Sequence, residues 1–260
     1  MEKDIKLRIL FDQVADLYDK ARPTYPDALF DELIKKAKLS ENSKLLEIAP
    51  GTGQATLPLA KKGYEIVGIE LGQKLAEIAK ENLRDYPNVQ IITGAFEDVD
   101  LLAGSFDLIY VATAFHWIKP EAQYSKPHKL LKDGGYLAII KGDQISNDAG
   151  DAFFHDTQPI YEKYWPNEKG RYHLRKLEEV KPTSFDSNLF ELVDFKCFPQ
   201  TIPSTAEAYC ELLNTDSEKL ALSPEQRASF LNEIKQLIND RFNGIAERRY
   251  ANSLLLLKRK

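Results

Sequence analysis

The sequence predicts an α/β protein built on a doubly wound, mostly parallel sheet of seven strands, with helices ahead of the sheet and an insertion late in it. Three observations carry that reading. Between Ser43 and Lys141, short β-branched or aliphatic runs alternate with helix-length amphipathic stretches, the pattern of parallel strands joined by crossover helices. The first strand ends in an acid and passes through a glycine-containing turn into a helix. The chain closes on Tyr250 to Leu257, an apolar run of strand length.

Lys44 to Ile48 (KLLEI) is the first strand, followed by the turn Ala49-Pro50-Gly51-Thr52-Gly53 and a helix through Ala60. Glu65 to Ile69 is the second. Leu75, Ile78, Ala79 and Leu83 then recur at helical spacing, which predicts a crossover helix from Gln73 to Arg84. Val89 to Thr93 and Phe106 to Val111 are strands three and four. Gly135 to Lys141 is strand five, entered through the turn Lys132-Asp133-Gly134-Gly135.

The flanks differ. Residues 1–38 read as two helices around Ala21-Arg22-Pro23-Thr24-Tyr25-Pro26, an N-terminal helical lid ahead of a core domain at 39–260. The second helix carries Leu29, Phe30, Leu33, Ile34 and Ala37 on one face. Residues 143 to about 185 are polar and aromatic with no clear strand, an insertion over the ligand edge of the sheet. Phe190 to Phe198 alternates as strand six. Ser204 with Glu207, and Ser223-Pro224 with Gln226, are helix starts of the capping-box kind. The second opens a helix whose Phe230, Ile234, Leu237 and Ile238 face inward.

Bulk properties narrow the partners. Forty acidic residues against 35 basic ones give a net charge of −5, so a phosphate backbone is a poor first guess. Cys197 and Cys210 lack metal or CxxC spacing and read as reduced thiols of a cytoplasmic protein. His128, His155 and His173 are scattered, with no metal spacing to Cys or acids. The N-terminus has no signal-peptide core, and no apolar run approaches the roughly 18 residues of a membrane span. The partner expected is a small molecule, without nucleic acid or membrane.

The chemistry concentrates at four strand ends. Gly51 and Gly53 admit close backbone approach and positive φ, and Glu47 stands at the carboxyl end of strand one, where open α/β sheets bind ligands. A carboxylate there suits a cationic or hydroxyl-bearing ligand and repels a pyrophosphate. A purely structural strand-to-helix turn remains the alternative. Glu70 closes strand two, where an acid's two oxygens can accept two ribose hydroxyls. After strand three comes Thr93-Gly94-Ala95-Phe96, where a base ring could lie against Phe96. Strand four runs out into Ala112-Thr113-Ala114-Phe115-His116-Trp117. His116 is the best-placed general base, and a residue that merely shapes the pocket with Trp117 is the equal alternative.

Together these segments resemble the class I S-adenosylmethionine (SAM)-dependent methyltransferases, in particular the small-molecule branch that includes trans-aconitate methyltransferase, of the type 11-like group. Arg22-Pro23-Thr24-Tyr25-Pro26, Phe115-His116-Trp117, Asp133-Gly134-Gly135-Tyr136-Leu137 and Arg248-Arg249-Tyr250 also resemble segments of that branch. The resemblance implies a Rossmann-like methyltransferase fold and SAM as cofactor. It implies that Glu47, Ala49, Gly51 and Gly53 line the methionine part, Glu70 holds the ribose, and Leu71, Ala95 and Phe96 surround the adenine. Backbone near Ala112 would meet the amino group, and Tyr18 and Arg22 would close over the cofactor, Arg22 on its carboxylate. Two departures stand out: the family usually has glycine at Ala49, and commonly an acid at Ala95.

A dinucleotide-dependent oxidoreductase fits less well. Its G-x-G-x-x-G fingerprint, counted from Gly51, meets Thr56 at the third glycine. A SAM-binding regulator without turnover is the other competitor. Arg171, His173, Arg175 and Lys176 form a positive cluster that is either a solvated face or a clamp for an anionic acceptor.

Overall fold

Seven strands hydrogen-bond in the order β3-β2-β1-β4-β5-β7-β6, and only β7 runs against the rest. They are β1 (Lys44–Ile48), β2 (Glu65–Glu70), β3 (Val89–Thr93), β4 (Phe106–Ala112), β5 (Leu131–Ile145), β6 (Phe190–Thr205) and β7 (Ile245–Arg259). This is a computed structural model, and it describes residues 11–147, 150–166 and 173–260.

The central strands are near-continuous apolar runs because both faces are covered. Leu45, Ile66, Leu108, Ala138, Leu254 and Leu256 point to one face, and Leu46, Ile69, Ile109, Leu137, Leu255 and Leu257 to the other. The first face packs on α2 (Asp27–Lys36), following α1 (Ala15–Ala21), and on α3 (Thr56–Ala60) and α4 (Gln73–Asn82). Leu29, Phe30 and Leu33 of α2 are fully buried in that layer, so only the segment before it lies over the ligand edge. The opposite face is closed by the short helices α5 (Pro120–Gln123) and α6 (Ser125–Leu130) and by Phe190.

Several boundaries depart from the sequence reading. β5 begins at Leu131, because Phe106 pairs with Leu131 before a bulge that resumes at Leu108 and Tyr136. The predicted turn is that bulge, with Gly134 at φ 74°. β6 and β7 continue past the expected ends, and their last four pairs, from Ile202–Arg248 to Thr205–Ile245, extend beyond the end of β5. Thr205, not Ser204, caps α8 (Ala206–Leu213), accepting from the Ala208 amide, after α7 (Ala152–Tyr164) in the insertion. A short α9 (Ser217–Leu220) precedes α10 (Pro224–Arg241), whose Ser223–Gln226 capping box forms as predicted.

α7, α8 and α10 share a separate apolar cluster of Phe153, Tyr209, Leu213, Phe230, Ile234 and Ile238 against the hairpin arm. Among the described residues, no helix is long and apolar enough to cross a membrane, and no group of acids, His and Cys is arranged to hold a metal.

Candidate functional site

The strand order reverses between β1 and β4, and the loops leaving their carboxyl ends open a crevice there. A cavity of about 250 Å³ fills it. Ala49 and Gly51 line it after β1, Glu70 and Leu71 after β2, Gly94 and Phe96 after β3, and Ala112, Thr113, His116 and Trp117 after β4. Phe11, Tyr18 and Arg22 cover it from the N-terminal side, and Asp216 and Ser217 from the C-terminal side.

Glu70 ties the floor together. Its carboxylate is 5% exposed and accepts the Gly51 amide on Oε2 and the Gly72 amide on Oε1, each at 2.9 Å. Burial raises its pKa, and the amide hydrogen bonds oppose the rise. Gly51 sits at φ 61°, and a Cβ there would stand 3.3 Å from the Tyr18 ring. Glycine thus serves both the backbone turn and the narrow gap beneath Tyr18. Ala49 holds the left-handed region too, at φ 55°, while its amide extends the β1–β2 pairing to the Ile69 carbonyl at 2.9 Å.

Glu47 does not reach the cavity. It is 1% exposed, and Oε2 accepts the hydroxyls of Thr56 at 2.6 Å and Tyr110 at 2.7 Å. Burial, outweighing those two hydrogen bonds, lifts its pKa to about 7. Thr56, at the place of the third fingerprint glycine, is thereby occupied in holding this carboxyl. Gly53 stands behind the cavity wall at φ 100°, its amide on the Pro50 carbonyl and its Cα facing Leu83. Ala95 is turned away, its carbonyl accepting the Asp98 and Val99 amides.

The N-terminal cover is pinned. Asp12 Oδ1 accepts the Lys74 and Leu75 amides at the start of α4, capping it from outside. Asp19 accepts from Asn82 at 2.8 Å. Arg22 donates twice to Thr215, from Nε to Oγ1 at 2.9 Å and from Nη2 to the carbonyl at 2.7 Å, and lies 4.9 Å from the centre of the Tyr18 ring. His116 lies against Trp117, ring centres 4.7 Å apart. Burial, then the charge of Lys141, lowers its pKa below 6.5.

The sequence reading missed Phe11, Thr113, Asp216 and Ser217. Thr113 holds φ 58° and bonds Tyr25 through its hydroxyl at 2.8 Å, a left-handed non-glycine residue at the mouth. No periodicity marks such a position. Asp216 caps α9 by accepting the Glu218 amide, a polar residue between helices with no signal of its own.

Two further cavities adjoin the first. One of about 170 Å³ shares Tyr18, Arg22, Thr113 and Asp216 with it and reaches Arg248 and Tyr250. Another of about 300 Å³ shares Asp216 and Ser217 with the first, and Arg248 with the second. The predicted clamp is elsewhere: His173, Arg175 and Lys176 are exposed and line none of these cavities, and Arg171 lies outside the described residues.

Residues 46–139 match the family model described as a methyltransferase domain. The chain is 31% identical over 178 residues to a protein of Dictyostelium discoideum named as a methyltransferase, spanning 66% of this chain and 65% of that one. It is 26% identical over 241 residues to an uncharacterized methyltransferase-like protein of Schizosaccharomyces pombe, covering 91% of this chain and 88% of the other. A solved structure from Anaeromyxobacter dehalogenans, named for a type II methyltransferase, superposes with a TM-score of 0.64 over 90% of this chain and 97% of that one. At 19% identity, this last is a likeness of fold.

Proposed function

We propose that this chain, whose residues 46–139 match the model of a methyltransferase domain, is a class I methyltransferase that transfers a methyl group from SAM to a small, anionic acceptor. Glu70 carries the reading. Its buried carboxylate fixes the loops after β1 and β2 at one spacing and keeps lone pairs on both oxygens for the two hydroxyls of a ribose. The residues fit the cofactor in two other respects. The gap under Tyr18 at Gly51 tolerates no Cβ without displacement, and the cavity is walled by Leu71 and Phe96 where a flat base needs apolar faces.

Bound SAM supplies an electrophilic methyl group on a positively charged sulfur. The chain's part is to align the acceptor with that methyl and keep water away, which supplies much of the acceleration. Arg22, already oriented by Thr215, meets the cofactor's carboxylate. Burial and the charge of Lys141 favour the neutral form of His116, the form that takes the proton of an acceptor that must lose one. The branch that includes trans-aconitate methyltransferase is the finer assignment this reading favours.

Calorimetric titration with SAM and with S-adenosylhomocysteine tests the proposal. Saturable binding of both at one site is the expected result. The absence of heat with either would remove SAM from this cavity. Turnover on a panel of small acids then separates an enzyme from a regulator that binds without converting.

A further inference from the structure

Arg248 is a cation without a counter-ion. It lies on β7 in the part of the hairpin that outruns β5, where it lines both of the cavities that adjoin the first. Its guanidinium carbon is 4.7 Å from the centre of the Tyr209 ring, and Nη1 reaches the Tyr250 hydroxyl at 3.3 Å. Nε is shut off from solvent and has no hydrogen-bond partner. The phenols of Tyr161, Tyr209 and Tyr250 stand nearest to it, while Asp216, Glu218 and Lys219 line the same cavities and pair with one another. Among the described residues, no carboxylate pairs with it. A half-buried guanidinium whose Nε is shut off from water is incompletely satisfied by phenols alone, and an anion completes it.

The other cations nearby are committed. Lys219 is 3.3 Å from both Asp216 and Glu218, and Arg22, held by Thr215 over the first cavity, is the cation assigned above to the cofactor's carboxylate. One uncommitted guanidinium, flanked by aromatic walls, matches a monoanionic planar group that its fork can grip, and undercharges a phosphate dianion. The 170 Å³ cavity leads from this guanidinium to Tyr18, Arg22 and Thr113, which it shares with the larger cavity.

We propose that Arg248 is the acceptor's anchor: the methyl acceptor is a small molecule with a carboxylate at one end, which Arg248 grips while its other end projects toward Thr113 and the cofactor cavity. The proposal rests on the methyltransferase reading for the word acceptor. The anion site itself stands on a half-buried guanidinium with no carboxylate partner among the described residues.

The test uses benzoate, benzamide and phenyl phosphate, titrated at matched ionic strength into the full chain saturated with S-adenosylhomocysteine. Benzoate is expected to raise Tm and to bind at least tenfold more tightly than benzamide. Arg248→Met is expected to weaken benzoate at least tenfold, and Arg248→Lys, which keeps charge but loses the fork, by a smaller factor. Without any acid present, Arg248→Met should match or exceed the wild-type Tm, since it removes an uncompensated charge. A purely structural arginine would instead lower it. Equal affinity for benzoate and benzamide, no benzoate binding, or tighter phenyl phosphate binding would each overturn the carboxylate anchor. Failure of SAM to bind while benzoate still binds through Arg248 would overturn the methyltransferase reading and leave the anion site. Binding of SAM with no Arg248-dependent benzoate binding would do the reverse.

Discussion

The two halves of the sheet finish their strands in different ways. In the parallel half, β1 to β4 are five to seven residues long and end in loops whose amides and glycines form the crevice. In the antiparallel half, β6 and β7 run for 16 and 15 residues and carry side chains past the sheet's edge into the cluster of α7, α8 and α10. The first half presents mostly backbone and one acid to a ligand. The second presents a guanidinium among phenols. A backbone-built end suits a fixed cofactor, and a side-chain-built end can be changed residue by residue without disturbing the sheet. That division makes the parallel half the place to look for SAM and the hairpin the place to look for acceptor choice.

The largest expected effect lies in the parallel half and separates its two acids. Glu47 titrates at about 7 in the folded protein, against about 4.3 when unfolded. Below the unfolded value both states are protonated and stability is full. Between there and pH 7 only the unfolded chain ionises, so stability falls, and above pH 7 the loss is constant. The loss amounts to about 2–4 kcal/mol. Glu47→Gln cannot ionise, and its oxygen can still accept from Thr56 and Tyr110. Denaturant unfolding at pH 4.5 and pH 7.5 should show the gap between variant and wild type moving in the variant's favour by that amount. A gap that stays constant would mean that Glu47 titrates normally. SAM affinity should stay within threefold, because this carboxyl faces away from the cavity.

Glu70 is expected to behave oppositely. Glu70→Ala removes the two oxygens proposed to accept the ribose hydroxyls and frees the Gly51 and Gly72 amides, so SAM binding should weaken by about 1.5–3 kcal/mol. Calorimetry measures the loss, and far-UV circular dichroism checks that the fold survives. Unchanged affinity in a folded variant would take this residue out of the cofactor site.

These two acids show how far the sequence could be read. The strand order followed from alternating apolar runs and crossover helices, because burial on both faces leaves a strong pattern. Both strand-end acids were visible, yet nothing in KLLEI told that Glu47 would turn into the protein to meet Tyr110, a partner 63 residues away. The lining of the first cavity was mostly legible, since Gly51, Glu70, Leu71, Phe96 and Ala112 sit at the ends of predicted strands and line it. The acceptor end was not. The long hairpin hid behind Pro199 and Pro203, and Arg248 stood out only within a segment resembling the branch's last strand, with no role attached to it. Its meaning comes from Tyr161 and Tyr209, brought to it by helices packed from two separate segments.

Ala49 offers a smaller effect on the same contrast. It takes φ 55°, where a methyl side chain is strained by roughly 1–2 kcal/mol, while glycine's extra freedom when unfolded returns part of any gain. Ala49→Gly should therefore raise stability by about 0.5–1 kcal/mol in denaturant titrations. A loss of stability would show that the methyl group contributes packing against the second face of the sheet, beside which it lies.

The smallest effect is expected at Arg175, and it bears on which positive charge matters. Its side chain is 43% exposed and lies 3.3 Å from Asp143, so it is a solvated cation with a partner. Such pairs contribute about 0–1 kcal/mol. Its backbone bridges to Ile145 and accepts the Ser146 amide, contacts that any side chain preserves. Arg175→Glu should thus cost less than about 1 kcal/mol of stability and leave SAM and benzoate affinities within twofold, measured by calorimetry. The comparison with Arg248 is then direct. Both are arginines near the same strand ends, but one is exposed and already has its carboxylate, while the other is half-buried and has only phenols beside it. If reversing Arg175 weakened benzoate as much as removing Arg248, the anion would be responding to the general field of the insertion. The anchor at Arg248 would then fail, since it requires the effect to concentrate in the guanidinium that has no carboxylate.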